Sequence, residues 1–430
     1  MSALSVILVA VALAVAGLFA FLPALRRSDG WQATVVPLAS IMGSGFLVSA
    51  PLLGHTVGRW AMPAMAGLLV VAYALGHVIR FNIANAEPQL EDADRDERDH
   101  TLQHAHRQSS SASASAGTHA AAIVERVSHA VLALAYVVTI AYYLQLLAAF
   151  ALEQLGHDGD LTAKIIASSI LAGLTLVGAT FGLGLLEKLD RFAIALNLGV
   201  IAAILVGLVV HNVHLVNTGG WQLPAGPSGS QPVHTTRVLM GLLIVVQGFE
   251  TSRFLGSEHP AEVRIRTMRI AQLVSSGIYV VFLALVTVLL GSSSGDGADV
   301  TAVVSLLTPV APVLPLLVVC AAIVSQFSAA VADDSGDVGL VQTLLGGWGP
   351  RWLTYALIGG LSAGVIWLTN PVEVIAWASR SFALFYALQC AVAVLTAHTA
   401  DVSHATARKV AYGALGVVAL AVCILGIPAG

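Results

Sequence analysis

An all-α membrane protein of about 12 transmembrane helices is the fold class this sequence predicts, on three observations. Apolar runs long enough to cross a bilayer recur from end to end, only 10% of the residues are charged, and the basic residues collect on alternate loops. A soluble domain carries roughly 25% charged residues, whereas here 57% of residues are hydrophobic and the mean hydropathy is +0.85. Crossing a hydrocarbon core of about 30 Å takes around 20 residues at helical rise. With so little polar chain between the runs, residues 1–430 read as a single membrane domain.

The runs fall at 3–25, 32–54, 61–80, 127–153, 163–186, 192–211, 238–256, 270–291, 301–332, 352–369, 374–398 and 410–428. The first has no basic segment before it and is followed by Arg26 and Arg27. It therefore reads as a retained span with its N-terminus outside, not as a signal peptide. That choice sets the side of every loop. It places sixteen basic residues, from Arg26 to Lys409, on inward loops and helix ends, against Arg59, Lys164 and Arg237 outside, with Arg380 inside a span. Cytoplasmic loops keep Lys and Arg, so the bias predicts an integral protein of the cytoplasmic (inner) membrane. A net charge of −4 gives no reason to expect a nucleic-acid partner. Cys320, Cys390 and Cys423 sit inside apolar runs and read as small core hydrophobes, without a disulfide framework.

Two loops stand out. Residues 84–120 hold the acidic stretch EPQLEDADRDERD, then His100, His104 and His106, then SSSASASAG. Such a composition buries too little apolar surface to order itself, so it reads as a flexible cytoplasmic linker; a metal site built from its histidines is the sharper alternative. Residues 212–236, with GGWQLPAGPSGSQP, read as an outward crossover between two halves of the chain.

Setting the first span aside as peripheral, spans two to six (32–211) and seven to eleven (238–398) form two sets of five, with 410–428 left as a C-terminal helix. An odd number per set inverts the second relative to the first. Each set opens on a run interrupted by glycine and polar residues: Ser40 to Phe46 in the first, Gln247 to Ser252 in the second. A helix broken at membrane depth frees N–H and C=O groups that hydrocarbon cannot satisfy, so it persists where protein, water or a ligand supplies partners. Matched interruptions in inverted halves point to the substrate site of a secondary transporter. Met42, Gly43, Ser44, Gly45, Gln247, Gly248 and Phe249 are the candidate substrate-binding residues, with Tyr143 as a further cavity candidate from the third core helix. The plainer account of Gly43 and Gly45 is close helix packing.

Gly43-Ser44-Gly45-Phe46 followed by Ala50-Pro51-Leu52-Leu53 resembles the glycine-serine-glycine signature in the first core helix of the amino acid–polyamine–organocation (APC) superfamily. Gly248-Phe249-Glu250, then Glu258, Pro260 and the basic run Arg264 to Arg269, resembles that superfamily's sixth core helix and the loop behind it. The resemblance covers about residues 31–428. It implies the LeuT-like inverted repeat of five and five helices, alternating access, and a small solute bound between the first and sixth core helices. It also implies coupling to Na+ or H+ and no cofactor. The extra leading span is similar to the sodium–solute symporter branch, whereas Gly-Phe-Glu is similar to the amino acid branch.

Charge inside a membrane is costly and calls for an account. Glu250 lies at the second interruption, and the resemblance implies a gating and proton-linked role; the alternative is a surface partner for Arg253. Asp333 and Asp337 are four residues apart on one helix face, so a proton or a shared cation must relieve them; the alternative puts them at the cytoplasmic surface. The resemblance implies that hydroxyls of this eighth core helix complete a sodium site, for which Ser325, Ser328, Asp334 and Ser335 are candidates. The fifth core stretch, Phe192 to Val210, has no lysine to stand in for a sodium ion. Arg380 suits an outward gate or a structural bond to backbone carbonyls equally. A membrane-embedded enzyme is the rival class, but no HExxH, GxSxG or Cys/His ligand cluster occurs in the spans. A channel is the third, for which broken helices in an inverted repeat are a poorer fit.

Overall fold

The computed structural model describes residues 3–43, 45–90, 112–156, 159–183, 190–224, 231–255, 259–292, 299–346, 349–399 and 405–429. Among these, all regular structure is helical, and ten helices are long and apolar enough to cross a membrane. The leading helix α1 (Ala3–Phe21) is followed by α2 (Asp29–Gly43), α3 (Gly45–Val57) and α4 (Ala61–Phe81), and then by α5 (Ala112–Leu155), α6 (Asp160–Phe181) and α7 (Asp190–Thr218). The second half comprises α8 (Pro232–Gly241), α9 (Ala261–Val286), α10 (Leu314–Leu344), α11 (Arg351–Leu368), α12 (Pro371–Thr399) and α13 (Ala405–Leu425).

Every predicted apolar run carries helix, but four expectations need correcting. The run at 238–256 is not one helix. It holds α8, the 3₁₀ turns Leu243–Val246 and Phe249–Leu255, and an extended Gln247 between them. The run at 301–332 is helical only as the short turn Val303–Leu307 and then α10, which continues to Leu344; Asp333, Asp334 and Asp337 therefore lie within a helix, not at its end. The expected linker 84–120 is helical at both flanks, through Leu90 and from Ala112. The acidic residues from 91 onward and His100, His104 and His106 lie outside the described residues, as do Ser44 and Glu258. Finally, Cys320 is exposed on the helix surface, unlike the buried Cys390.

The packing follows from which faces are apolar all round and which carry small residues. Helix α5 is the most enclosed, lying against α10, α11 and α12, with α6 beyond it. Helices α1 and α13 lie at the periphery against α7 and α12 respectively. Outward side chains such as Phe181 (89% exposed) and Val410 (70%) are apolar, as a lipid-facing surface requires. Without a hydrophobic drive between helices, close approach through small residues holds them together: Gly199 of α7 sits against the Ala12 carbonyl of α1, and Gly178 of α6 against the Tyr355 ring of α11.

Candidate functional site

Near Gly43, three backbone carbonyls of α2 lie within hydrogen-bond distance of side chains from three other helices. Tyr279 Oη of α9 lies 3.0 Å from the Ile41 oxygen, Asn197 Nδ2 of α7 donates to Met42 at 3.3 Å, and Ser325 Oγ of α10 donates to Gly43 at 3.2 Å. Tyr279 Oη is also 2.7 Å from the Val245 oxygen at the second interruption. One buried hydroxyl thus ties the two interrupted segments together. Gly45 permits this: a β-carbon there would overlap the Val245 carbonyl.

The second segment is held as tightly. Gly248 has φ +117°, a conformation L side chains rarely adopt, and a β-carbon on it would collide with Ser40 and the Ile41 nitrogen. Upstream, Ser379 of α12 donates to the Gly241 carbonyl at 2.6 Å and accepts from the Ile244 N–H at 2.9 Å, satisfying the chain where α8 stops. Downstream, Gly248 N–H donates to Glu250 Oε2 at 3.0 Å, and Tyr386 Oη donates to the same oxygen at 2.6 Å. Tyr386 Oη is also 3.2 Å from Gln247 Oε1, and its ring stacks on Phe249 with centroids 5.2 Å apart. Met42, Phe249, Glu250 and Tyr386 are each at most 1% exposed, so the site is closed in this structure.

Glu250 is not the partner of Arg253. Arg253 turns away to Glu125 of α5, 2.8 Å distant, and lies 3.6 Å from Glu87, while also donating to the Gln389 side-chain oxygen. Arg264 binds both Glu87 oxygens, at 2.7 and 3.2 Å, and donates to the Arg253 carbonyl at 2.8 Å. Gln389 Nε2 closes the network onto Glu125 at 3.0 Å and Ser128 at 2.8 Å. This buried lattice joins the tail of the second segment, Glu87 beyond the end of α4, and α5, α9 and α12. Glu250 itself has two neutral donors and, among the described residues, no ion pair. A buried carboxylate so placed can hold a proton or accept a cation.

The three aspartates of α10 are buried, at 9%, 2% and 0% exposed for Asp333, Asp334 and Asp337. Thr139 Oγ1 of α5 donates to Asp333 Oδ2. Asp333 and Glu250 are close enough to act on each other electrostatically, and the Tyr136 ring lies within reach of both and of Asp337. These side chains thus pack inside the protein and not on its outer face. Among the described residues, neither oxygen of Asp337 nor either amide atom of the fully buried Gln326 has a hydrogen-bond partner.

Of the predicted residues, Met42, Gly43, Gly45, Gln247, Gly248, Phe249, Glu250 and Ser325 come together at the interruptions, with Asp333 alongside. Ser328 and Ser335 are half-buried on α10, and Tyr143 is buried on α5 with its ring 5.3 Å from that of Tyr142. Arg380 does not join them: it is exposed and donates through Nε to the Cys423 carbonyl of α13 at 2.7 Å, the structural geometry. No group of three or more His, Cys, Asp or Glu that could hold a metal occurs among the described residues. Asn197, Tyr279, Tyr386 and Thr139 were not among the predicted residues. Each lies within an apolar run, and its partner is set by packing between segments distant in the chain.

Comparison with known proteins agrees with this architecture. A family model described as "APC superfamily transporter" matches residues 23–426. An uncharacterized protein of Aquifex aeolicus (strain VF5) is 34% identical over 378 residues, covering 88% of this chain and 87% of the relative. Crystal structures of two mutants of the Eremococcus coleocola manganese transporter share the fold. The mutant with a histidine changed to alanine has a TM-score of 0.54 at 12% identity, and the one with a glutamate changed to alanine 0.55 at 11%. Both matches cover 91% of this chain and 87% of the solved one.

Proposed function

Because this chain belongs to the APC superfamily of transporters, we propose that it is a secondary active transporter of a small polar organic solute, an amino acid or related compound, driven by Na+ or H+ across the cytoplasmic membrane. The cargo binds between the Ile41–Gly45 and Val245–Glu250 segments, at the junction of two inverted five-helix repeats, with the N-terminus outside. The observation that carries the reading is the bridge by Tyr279 between the Ile41 and Val245 carbonyls. Backbone carbonyls from both halves meet at one buried hydroxyl, which suits a midplane site between the halves. Glu250 and Asp333 serve as proton carriers or gating carboxylates, and Ser325, with Ser328, Asp334 and Ser335 along the same helix, offers oxygen ligands for sodium.

A second reading, in which the cargo is itself a cation, is favoured by the ligand set: carbonyl, hydroxyl and carboxylate oxygens with an amide, and, among the described residues, no basic side chain bonded at either interruption. Uptake into proteoliposomes under imposed Na+ or H+ gradients, with a panel of amino acids, amines and Mn2+, tests both. Saturable accumulation of one cargo above equilibrium supports transport. Flux of every solute in proportion to its concentration would mean a channel.

A further inference from the structure

We propose that a single anionic phospholipid of the bilayer seats in a groove between α1, α2, α7 and α9, with its headgroup at Arg266 and an acyl chain running inward along Ile270 and Ile278. The groove is a cavity of about 830 Å³, within the roughly 300–1,000 Å³ typical of small-molecule sites. Its walls are Phe19 of α1, Trp31 of α2, Leu198 and Ile201 of α7, and Ile270 and Ile278 of α9. From Val263 to Ile278 it follows α9 for about 22 Å, more than half of a hydrocarbon core of about 30 Å.

Two observations identify the occupant. The first is charge. Arg266 is exposed at the end of the groove where the chain's arginines concentrate, and it takes no carboxylate partner among the described residues. The other polar groups at that end are satisfied locally: Thr34 donates to Gly30 at 2.6 Å, Thr267 to Val263 at 2.8 Å, and Ser28 accepts from the Trp31 N–H at 3.2 Å. Among the described residues no acid pairs with this guanidinium, and its planar donor fork suits a phosphate.

The second observation is the apolar body. Lipid tails are as apolar as leucine, so an acyl chain gains no hydrophobic energy by entering, and the selection must come from the charged headgroup. Phe19 and Trp31, stacked with centroids 5.1 Å apart, wall the groove across α1 and α2. A lipid seated there braces α2, whose last carbonyls belong to the site at Ile41–Gly43. The leading helix thus acquires a use: it completes the groove.

Native mass spectrometry of the full chain, titrated with phosphatidylglycerol or with phosphatidylcholine of the same acyl chains, tests this. One saturable phosphatidylglycerol is expected, with phosphatidylcholine weaker. Arg266→Gln should weaken phosphatidylglycerol about fivefold, the scale of one arginine at an anionic surface, and leave phosphatidylcholine unchanged. Ala202→Phe, which narrows the groove, should weaken both; if that variant does not fold, Val274→Phe serves. Equal occupancy by the two lipids, or phosphatidylglycerol binding unchanged in Arg266→Gln, would overturn the proposal. Oleate binding as tightly as phosphatidylglycerol would overturn it in favour of a free fatty acid.

Discussion

Tyr386 donates its hydroxyl to the Glu250 carboxylate at 2.6 Å, so the acidic residue at the second interruption is bound by a neutral phenol and the Gly248 N–H, not by the nearby Arg253. Those two donors hold Glu250 in place without neutralising it. Glu250→Gln reproduces the protonated shape at almost constant volume. The variant should fold and bind cargo, but lose the pH dependence of net transport or rest facing one side. Uptake measured from pH 5 to pH 8 checks this; a wild-type profile would make Glu250 structural.

Gly248→Ala places a side chain at φ +117° and against the backbone of Ser40 and Ile41. Strain of this kind costs about 1–3 kcal/mol. The protein should still assemble, with a lower unfolding temperature in detergent and uptake reduced at least tenfold. Thermal unfolding beside transport separates the two effects. Gly360→Ala, in open space on α11, is the matched control and should change neither.

Tyr279→Phe removes the hydroxyl that meets Ile41 and Val245 while keeping the ring. The single phenol proton serves the two carbonyls in turn, and losing it costs about 1–3 kcal/mol, unless cargo or water replaces the phenol. Stability without cargo should therefore fall, and cargo should restore more of it than it adds to wild type. Unfolding temperatures measured with and without cargo give the comparison.

Breaking a buried ion pair from one side costs about 3–5 kcal/mol, and Arg253 holds Glu125 with only 4% of its side chain exposed. Arg253→Ala should open the molecule on that side. Labelling of a cysteine introduced at Ser128 by a water-soluble maleimide should rise severalfold over the same cysteine in the otherwise native chain. Arg253→Lys, which keeps charge but not the fork, should fall between them.

Spans and the second interruption were legible because each has a local cause. Hydropathy marks the helices, and the glycine and polar residues at Gln247–Gly248 mark where regular helix gives way. What was not legible depends on which side chains meet across 128 to 238 residues. Asn197 reads as one amide in a run of leucines and alanines until α7 brings it to the Met42 carbonyl. Tyr279 reads as an ordinary aromatic until α9 places it between the two segments. Arg253 stands three residues from Glu250 and looks like its partner. The 3₁₀ path of Phe249–Leu255 separates them, and Glu125, 128 residues away in sequence, takes the arginine instead.

The coupling ion separates the two candidate clusters. If Ser325 and its neighbours on α10 hold sodium against the Gly43 carbonyl, uptake should rise with sodium, and Ser325→Ala should weaken that dependence several-fold without altering its pH profile. If Glu250 and Asp333 carry protons instead, uptake should ignore sodium and follow an imposed pH gradient. Uptake under each gradient alone distinguishes them.

The central claim is that both interruptions form one cargo site, and the most direct measurement is saturable proteoliposome uptake of the best panel solute by wild type, Gly45→Ala and Gly248→Ala at equal reconstituted amounts. The account requires accumulation above equilibrium in wild type and loss of at least nine-tenths of it in each variant, one from each half of the chain. Uptake by both variants at the wild-type rate and affinity would contradict it.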